Sequence, residues 1–228
     1  MSGKQQAVHP LTDQPTESIR IRAIASLADA WLAPGSPWMQ RAEREIPSHT
    51  PYSSEMTRAC LRRVFKGYAA DSLWKWVERD HVKGVVNFQP SSFILHPSKY
   101  PRILVVSPST VFAATWQAAT AAWLAGCCPV LKPSRREPIF ARLLYESARS
   151  IAGNILPMEV LPPAFRLKLS PVTAHRSPLT AHGSFAAIVI YGNDQTIGNL
   201  ARDNRVIAFG PRISIAVISK HTPHDSYS

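Results

Sequence analysis

The residue types best placed to do chemistry lie in Leu131-Lys132-Pro133-Ser134-Arg135-Arg136. This stretch ends a short apolar run, Cys128 to Leu131, that reads as a strand. In open α/β sheets, ligands bind outside the carboxyl ends of the strands. A Lys and a Ser at such an end can hydrogen-bond a ribose or a phosphate. Arg135 and Arg136 can hold a further phosphate, as a guanidinium does through two parallel bonds. The same residues also fit a plain basic surface turn.

The other reactive residues are less well placed. Cys60, Cys127 and Cys128 form no CxxC, so neither a thioredoxin-like site nor a cysteine zinc site is indicated. Cys60 falls on the expected apolar stripe of a helix, Met56-Cys60-Leu61-Val64, and is expected in the core. Cys127 and Cys128 lie where a helix end meets a buried strand and read as packing residues. His221-Thr222-Pro223-His224 is an HxxH in a polar tail with no acid or thiol suited to complete a metal site, and no metal is expected. His175 and His182 fall in a Pro-rich loop. Neither GxGxxG nor GxxxxGK[ST] occurs.

The elements around the basic turn follow from periodicity. Residues 1–16 are a polar leader without the apolar core of a signal peptide. Ile19 to Leu32, Trp38 to Ile46, a helix capped by Ser53 or Ser54, and one capped by Asp71 with Leu73, Trp74 and Val77 buried make the first 80 residues mostly helical. Strands are expected at 85–88, 93–95, 102–106, 128–131, 185–191, 205–209 and 213–219, with a further short one near Val160. Helices at 111–125, 138–151 and 194–202 alternate with them. Gly126 and Gly153 end two of these helices. That order predicts an α/β fold, a Rossmann-like parallel sheet with flanking helices, preceded by a small helical N-terminal region. The divisions are 1–80 helical, 81–219 nucleotide-binding and 220–228 a polar tail.

Composition bounds the partners. The net charge is +11, and between Lys132 and Arg176 there are eight Lys or Arg against three acids. An anionic ligand such as a phosphorylated cofactor or coenzyme A suits this balance, and so does a solvated basic face. The six tryptophans sit at helical spacings that suit core or interface rather than base stacking. With no helix-turn-helix, RNP or zinc-finger pattern, no nucleic acid partner is expected. No apolar run reaches membrane-spanning length, and the sparse, odd cysteine count fits a reducing compartment, so a cytoplasmic protein is expected.

A family resemblance rests on four stretches in chain order. Ala125-Gly126-Cys127-Cys128-Pro129-Val130-Leu131-Lys132-Pro133-Ser134 resembles the "aGNavvlKPS" stretch of aldehyde dehydrogenases. Ser107 to Phe112 resembles the "GNVP" loop, and Tyr191-Gly192-Asn193-Asp194-Gln195-Thr196-Ile197 the "yGgDeti" stretch. Phe209 to Ile218 is similar to the "fGhrvSfavi" stretch of the LuxC-type acyl-CoA reductases, and Pro51 to Trp74 to that branch's helical region. The resemblance covers roughly residues 50–219. It implies reduction of an acyl-CoA or acyl-protein thioester to an aldehyde by NADPH, through an acyl-cysteine. It also implies that Lys132 and Ser134 hold the adenosine side of the cofactor. Arg135 stands where an acid would favour NAD, and a cation there favours the 2′-phosphate of NADP. Gly210 and Ser214 fall near the pyrophosphate-side turn.

Two departures qualify the implied activity. The oxyanion asparagine of the "GNVP" loop is Thr110, which keeps a hydroxyl but loses the amide geometry. The family's nucleophilic cysteine falls beyond the last stretch, and no residue to Ser228 matches it. The expectation is therefore a nucleotide-binding half that needs a C-terminal catalytic half, or another partner such as an acyl-activating enzyme, and that can pair as a homo-oligomer. The alternative is a degenerate, non-catalytic interaction protein that keeps the fold.

Overall fold

A computed structural model describes residues 15–81, 100–109, 111–165, 185–192, 197 and 206–209. The expected strands at 85–95 and 213–219, the body of the helix at 194–202, and the histidines at 175, 182, 221 and 224 lie outside these residues.

The sheet is built from runs with no internal polar break. β1 (Arg102–Val106), β2 (Cys128–Lys132), β3 (Glu159–Val160), β4 (Ala187–Tyr191) and β5 (Val206–Phe209) form one parallel sheet in the order β3-β2-β1-β4-β5. Both faces are covered at β1 and β2, which is why those strands read as continuous aliphatic runs rather than alternating ones. Val105 and Leu131 point into one core, and Leu104, Val130, Ile188 and Ile190 into a second cluster behind the sheet. The chain steps outward from β1 to β2 and β3, then returns to the other side of β1 with β4. The strand order therefore reverses between β1 and β4, the kind of crevice where doubly wound sheets bind nucleotides.

The helices cover the first of those cores. α1 (Glu17–Leu32), α2 (Pro37–Glu45), α3 (Ser54–Lys66) and α4 (Ala70–His81) precede the sheet, while α5 (Phe112–Leu124) and α6 (Ile139–Ala152) connect its strands. The Ser53 hydroxyl accepts from the Met56 amide at 3.2 Å and starts α3. Gly126, at φ 71°, ends α5. Its amide bonds the Trp123 carbonyl at 3.0 Å, and the Cys127 amide bonds that of Ala122 at 2.8 Å, the paired bonds of a Schellman stop.

Packing chose different faces on two helices than their spacing indicated. On α3 the buried residues are Thr57, Leu61 and Phe65, and both Cys60 and Met56 are exposed. The Phe65 ring stacks on Trp31 at 4.8 Å, and that contact turns α3 so that Cys60 faces away. On α4, Leu73 is buried but Trp74 is exposed, and Trp76 packs against the core instead. Asp71 lies inside the first turn of α4 rather than capping it, and Ala69 supplies the first carbonyl, to Leu73 at 3.1 Å.

The four leading helices are joined to the sheet layer by one apolar core and by ion pairs. Arg41 meets Glu146 at 2.6 Å and Arg142 meets Glu45 at 2.6 Å, both across the α2–α6 seam. The Trp31 indole donates to the Ser147 hydroxyl on α6 at 3.0 Å.

Candidate functional site

Lys132 is the last residue of β2 and stands in register with Val106, the last residue of β1. The Ser107 amide then donates to the Lys132 carbonyl at 3.0 Å, which ties the loop leaving β1 to the turn leaving β2. Both loops thus leave the carboxyl edge of the sheet together, beside the point where strand order reverses.

The turn is shaped by its own residues. Pro133 is buried and fixes the exit from the strand. The Ser134 hydroxyl accepts from the Arg136 amide at 3.2 Å, a local turn that leaves Arg135 and Arg136 exposed. Lys132 is half-buried, and its ammonium donates to the Pro133 carbonyl at 3.3 Å. Burial lowers its pKa, and the neighbouring charge of Arg135 lowers it further. No carboxylate among the described residues pairs with it. The result, among the described residues, is positive charge without a paired carboxylate at the carboxyl end of a parallel sheet, which suits an anionic ligand.

One functional element escaped the sequence reading. Glu137 is only 3% exposed, and its carboxylate accepts from the Phe140 amide at 2.8 Å. It therefore occupies the amino end of α6, where a ligand phosphate could otherwise sit, and anchors the far side of the basic turn. Burial raises its pKa, while the amides of Phe140 and Ile139 and the charge of His49 pull it back. The signal was there as an acid directly before the Pro that opens a helix. Glu137→Ala should destabilise the fold by about 1–2 kcal/mol, read by urea unfolding, because it leaves a buried amide without an acceptor. Glu137→Gln keeps an acceptor oxygen and should recover most of that loss.

The cysteines read as poor nucleophiles or badly placed ones. Burial pushes the Cys127 thiol to about 11 and the Cys128 thiol to about 12, so neither carries appreciable thiolate near neutral pH. Cys60 is exposed, but on α3 in the helical layer rather than at the strand ends. Of the other expected site residues, Thr110, Gly210 and Ser214 lie outside the described residues. The structure brings Lys132, Ser134 and Arg135 into one turn.

Sheet order, flanking helices and strand-end turn together define a Rossmann-like α/β fold. The chain is similar to the crystal structure of aldehyde dehydrogenase 21 from Physcomitrella patens in complex with succinate, with a TM-score of 0.57 and 15% identity. That match covers 88% of this chain and 40% of the enzyme's, so the chain spans about two fifths of that protein's length. A comparison with curated proteins gave no match. The acyl-CoA reductase (LuxC) family model matches residues 11–228, and the chain belongs to that family.

Proposed function

We propose that this chain is the nucleotide-binding part of an NADPH-dependent acyl-CoA reductase, acting in the cytoplasm on an acyl thioester. The observation that carries the reading is the cationic turn at the carboxyl end of β2, which has no carboxylate partner for Lys132 among the described residues, in a member of this family. Lys132 and Ser134 would hold the adenosine ribose, and Arg135, with Arg136 beside it, the 2′-phosphate. Gly210 and Ser214 would let the backbone approach the pyrophosphate, and Thr110 would offer a hydroxyl to the developing oxyanion. When bound, NADPH supplies the hydride that turns the acyl group into an aldehyde.

The chain's residues bind and orient; the thiol comes from elsewhere. With Cys127 and Cys128 buried and protonated, and Cys60 on the helical layer, none of the three is assigned as nucleophile. The acyl group would be carried by a cysteine outside these 228 residues, in a further segment or a partner. Among the described residues no helix is long and apolar enough to cross a membrane.

A fluorescence titration with NADPH and NADH, repeated on Arg135→Ala, tests the cofactor assignment. NADPH should bind more tightly than NADH. The variant should lose about tenfold or more for NADPH, with little change for NADH. A folded chain that binds neither cofactor would favour the non-catalytic interaction reading.

A further inference from the structure

The edge of the sheet opposite the basic turn holds a cavity of about 530 Å³. It lies at the amino ends of β1, β2 and β3, where Arg102, Cys128 and Glu159 start their strands, and beside the last turn of α6. The length of β2, roughly 13 Å, separates it from the basic turn, and no residue of that turn lines it. Its volume lies within the range of small-molecule pockets. Gly153 keeps the mouth clear: it ends α6 at φ 52°, and nothing lies within 4 Å of where a side chain would begin.

Charge divides the lining into engaged and available groups. Arg102 pairs with Glu159 and holds its guanidinium over the Phe185 ring at 5.3 Å, so those two charges offset each other. The Cys128 thiol, pushed up to about 12 by burial, is uncharged near neutral pH. Arg149 differs. It is exposed in the last turn of α6, and no carboxylate among the described residues pairs with it. One of its N–H groups donates to the Tyr145 hydroxyl at 3.4 Å, a long bond that leaves most of the guanidinium fork available.

These groups specify a single negative charge on an apolar body. A carboxylate matches one guanidinium through two parallel bonds. A phosphate dianion would bring a second charge towards the exposed Glu159 and the carboxyl end of α6, both negative. Leu156, Pro157 and Met158 supply the apolar wall. A thioether and a phenol ring in one cavity favour an aromatic body over an aliphatic one.

We infer that this cavity binds a small aromatic carboxylate, with its charge at Arg149 and its ring against Leu156, Pro157 and Met158. The site is separate from the cofactor turn, and its occupancy does not depend on NADPH.

The probes are naphthoate, its neutral analogue naphthamide, and naphthyl phosphate, titrated calorimetrically into the 228-residue chain. Naphthoate should bind saturably, and the amide and the phosphate about tenfold or more weakly. Arg149→Met should weaken naphthoate by about tenfold or more and leave naphthamide unchanged. Asn154→Trp, which fills the mouth from an exposed position, should weaken both; if it folds poorly, Arg149→Met still decides. Saturating NADPH, or Lys132→Met, should leave naphthoate affinity as it was. No saturable binding at millimolar naphthoate would overturn the assignment, and so would a folded Arg149→Met protein that binds it normally. Competition by NADPH would also overturn it, by placing the carboxylate at the basic turn.

Discussion

Trp31→Ala should cost about 3–5 kcal/mol, a large share of the stability of a domain this size. Trp31 is fully buried and has three kinds of contact at once. It stacks on Phe65 of α3 at 4.8 Å and 18°, leans on Phe140 of α6 at 5.9 Å, and donates to Ser147 at 3.0 Å. Phe65 in turn packs on Trp116 of α5 at 4.8 Å. Removing the indole therefore opens a cavity where the N-terminal helices meet the helices of the sheet layer. Trp31→Phe keeps most of the ring contact and loses the hydrogen bond, and should cost about 1–2 kcal/mol. Urea unfolding read by far-ultraviolet circular dichroism measures both. A loss under about 1 kcal/mol for Trp31→Ala would mean that the leading helices fold apart from the sheet.

Trp31 also shows where a sequence reading runs out. β1 and β2 were legible because a strand buried on both faces is a short aliphatic run, and no choice of face is needed; β4 and β5 are runs of the same kind, although β5 is largely exposed. α5 was legible from its alanines and its terminal glycine. A surface-packed helix poses a harder question. On α3 a stripe through Met56 and Cys60 and one through Thr57, Leu61 and Phe65 both have helical spacing. Only the ring of Phe65 against Trp31, 34 residues apart in the chain, selects the second. Trp74 and Trp76 on α4 posed the same choice.

The candidate site divides in the same way. Lys132, Ser134 and Arg135 are neighbours in sequence at a strand end, so topology alone placed them. Glu137 was missed because a carboxylate reads as surface until a helix end is found to need it.

Lys132→Met should weaken NADPH binding by about tenfold to a hundredfold while leaving the free chain as stable as before, or more so. The two halves of that expectation share one cause. Folding half-buries the ammonium, with no carboxylate partner among the described residues, and its pKa falls below the ordinary lysine value through burial first and the charge of Arg135 second. A lysine with a lowered folded pKa destabilises the fold wherever the unfolded chain would be protonated. The penalty is complete below the folded pKa, shrinks as pH rises from there towards 10.5, and vanishes above it. Methionine keeps the stem and removes the penalty, so the variant's advantage in urea should be largest near neutral pH and fade in alkali. A bound phosphate or ribose is what would compensate the charge, so the residue that strains the free chain is the one the ligand should need most. Equal NADPH affinity in Lys132→Met would take the cofactor away from this turn. A stability loss near neutral pH would mean that the ammonium is already satisfied within the fold.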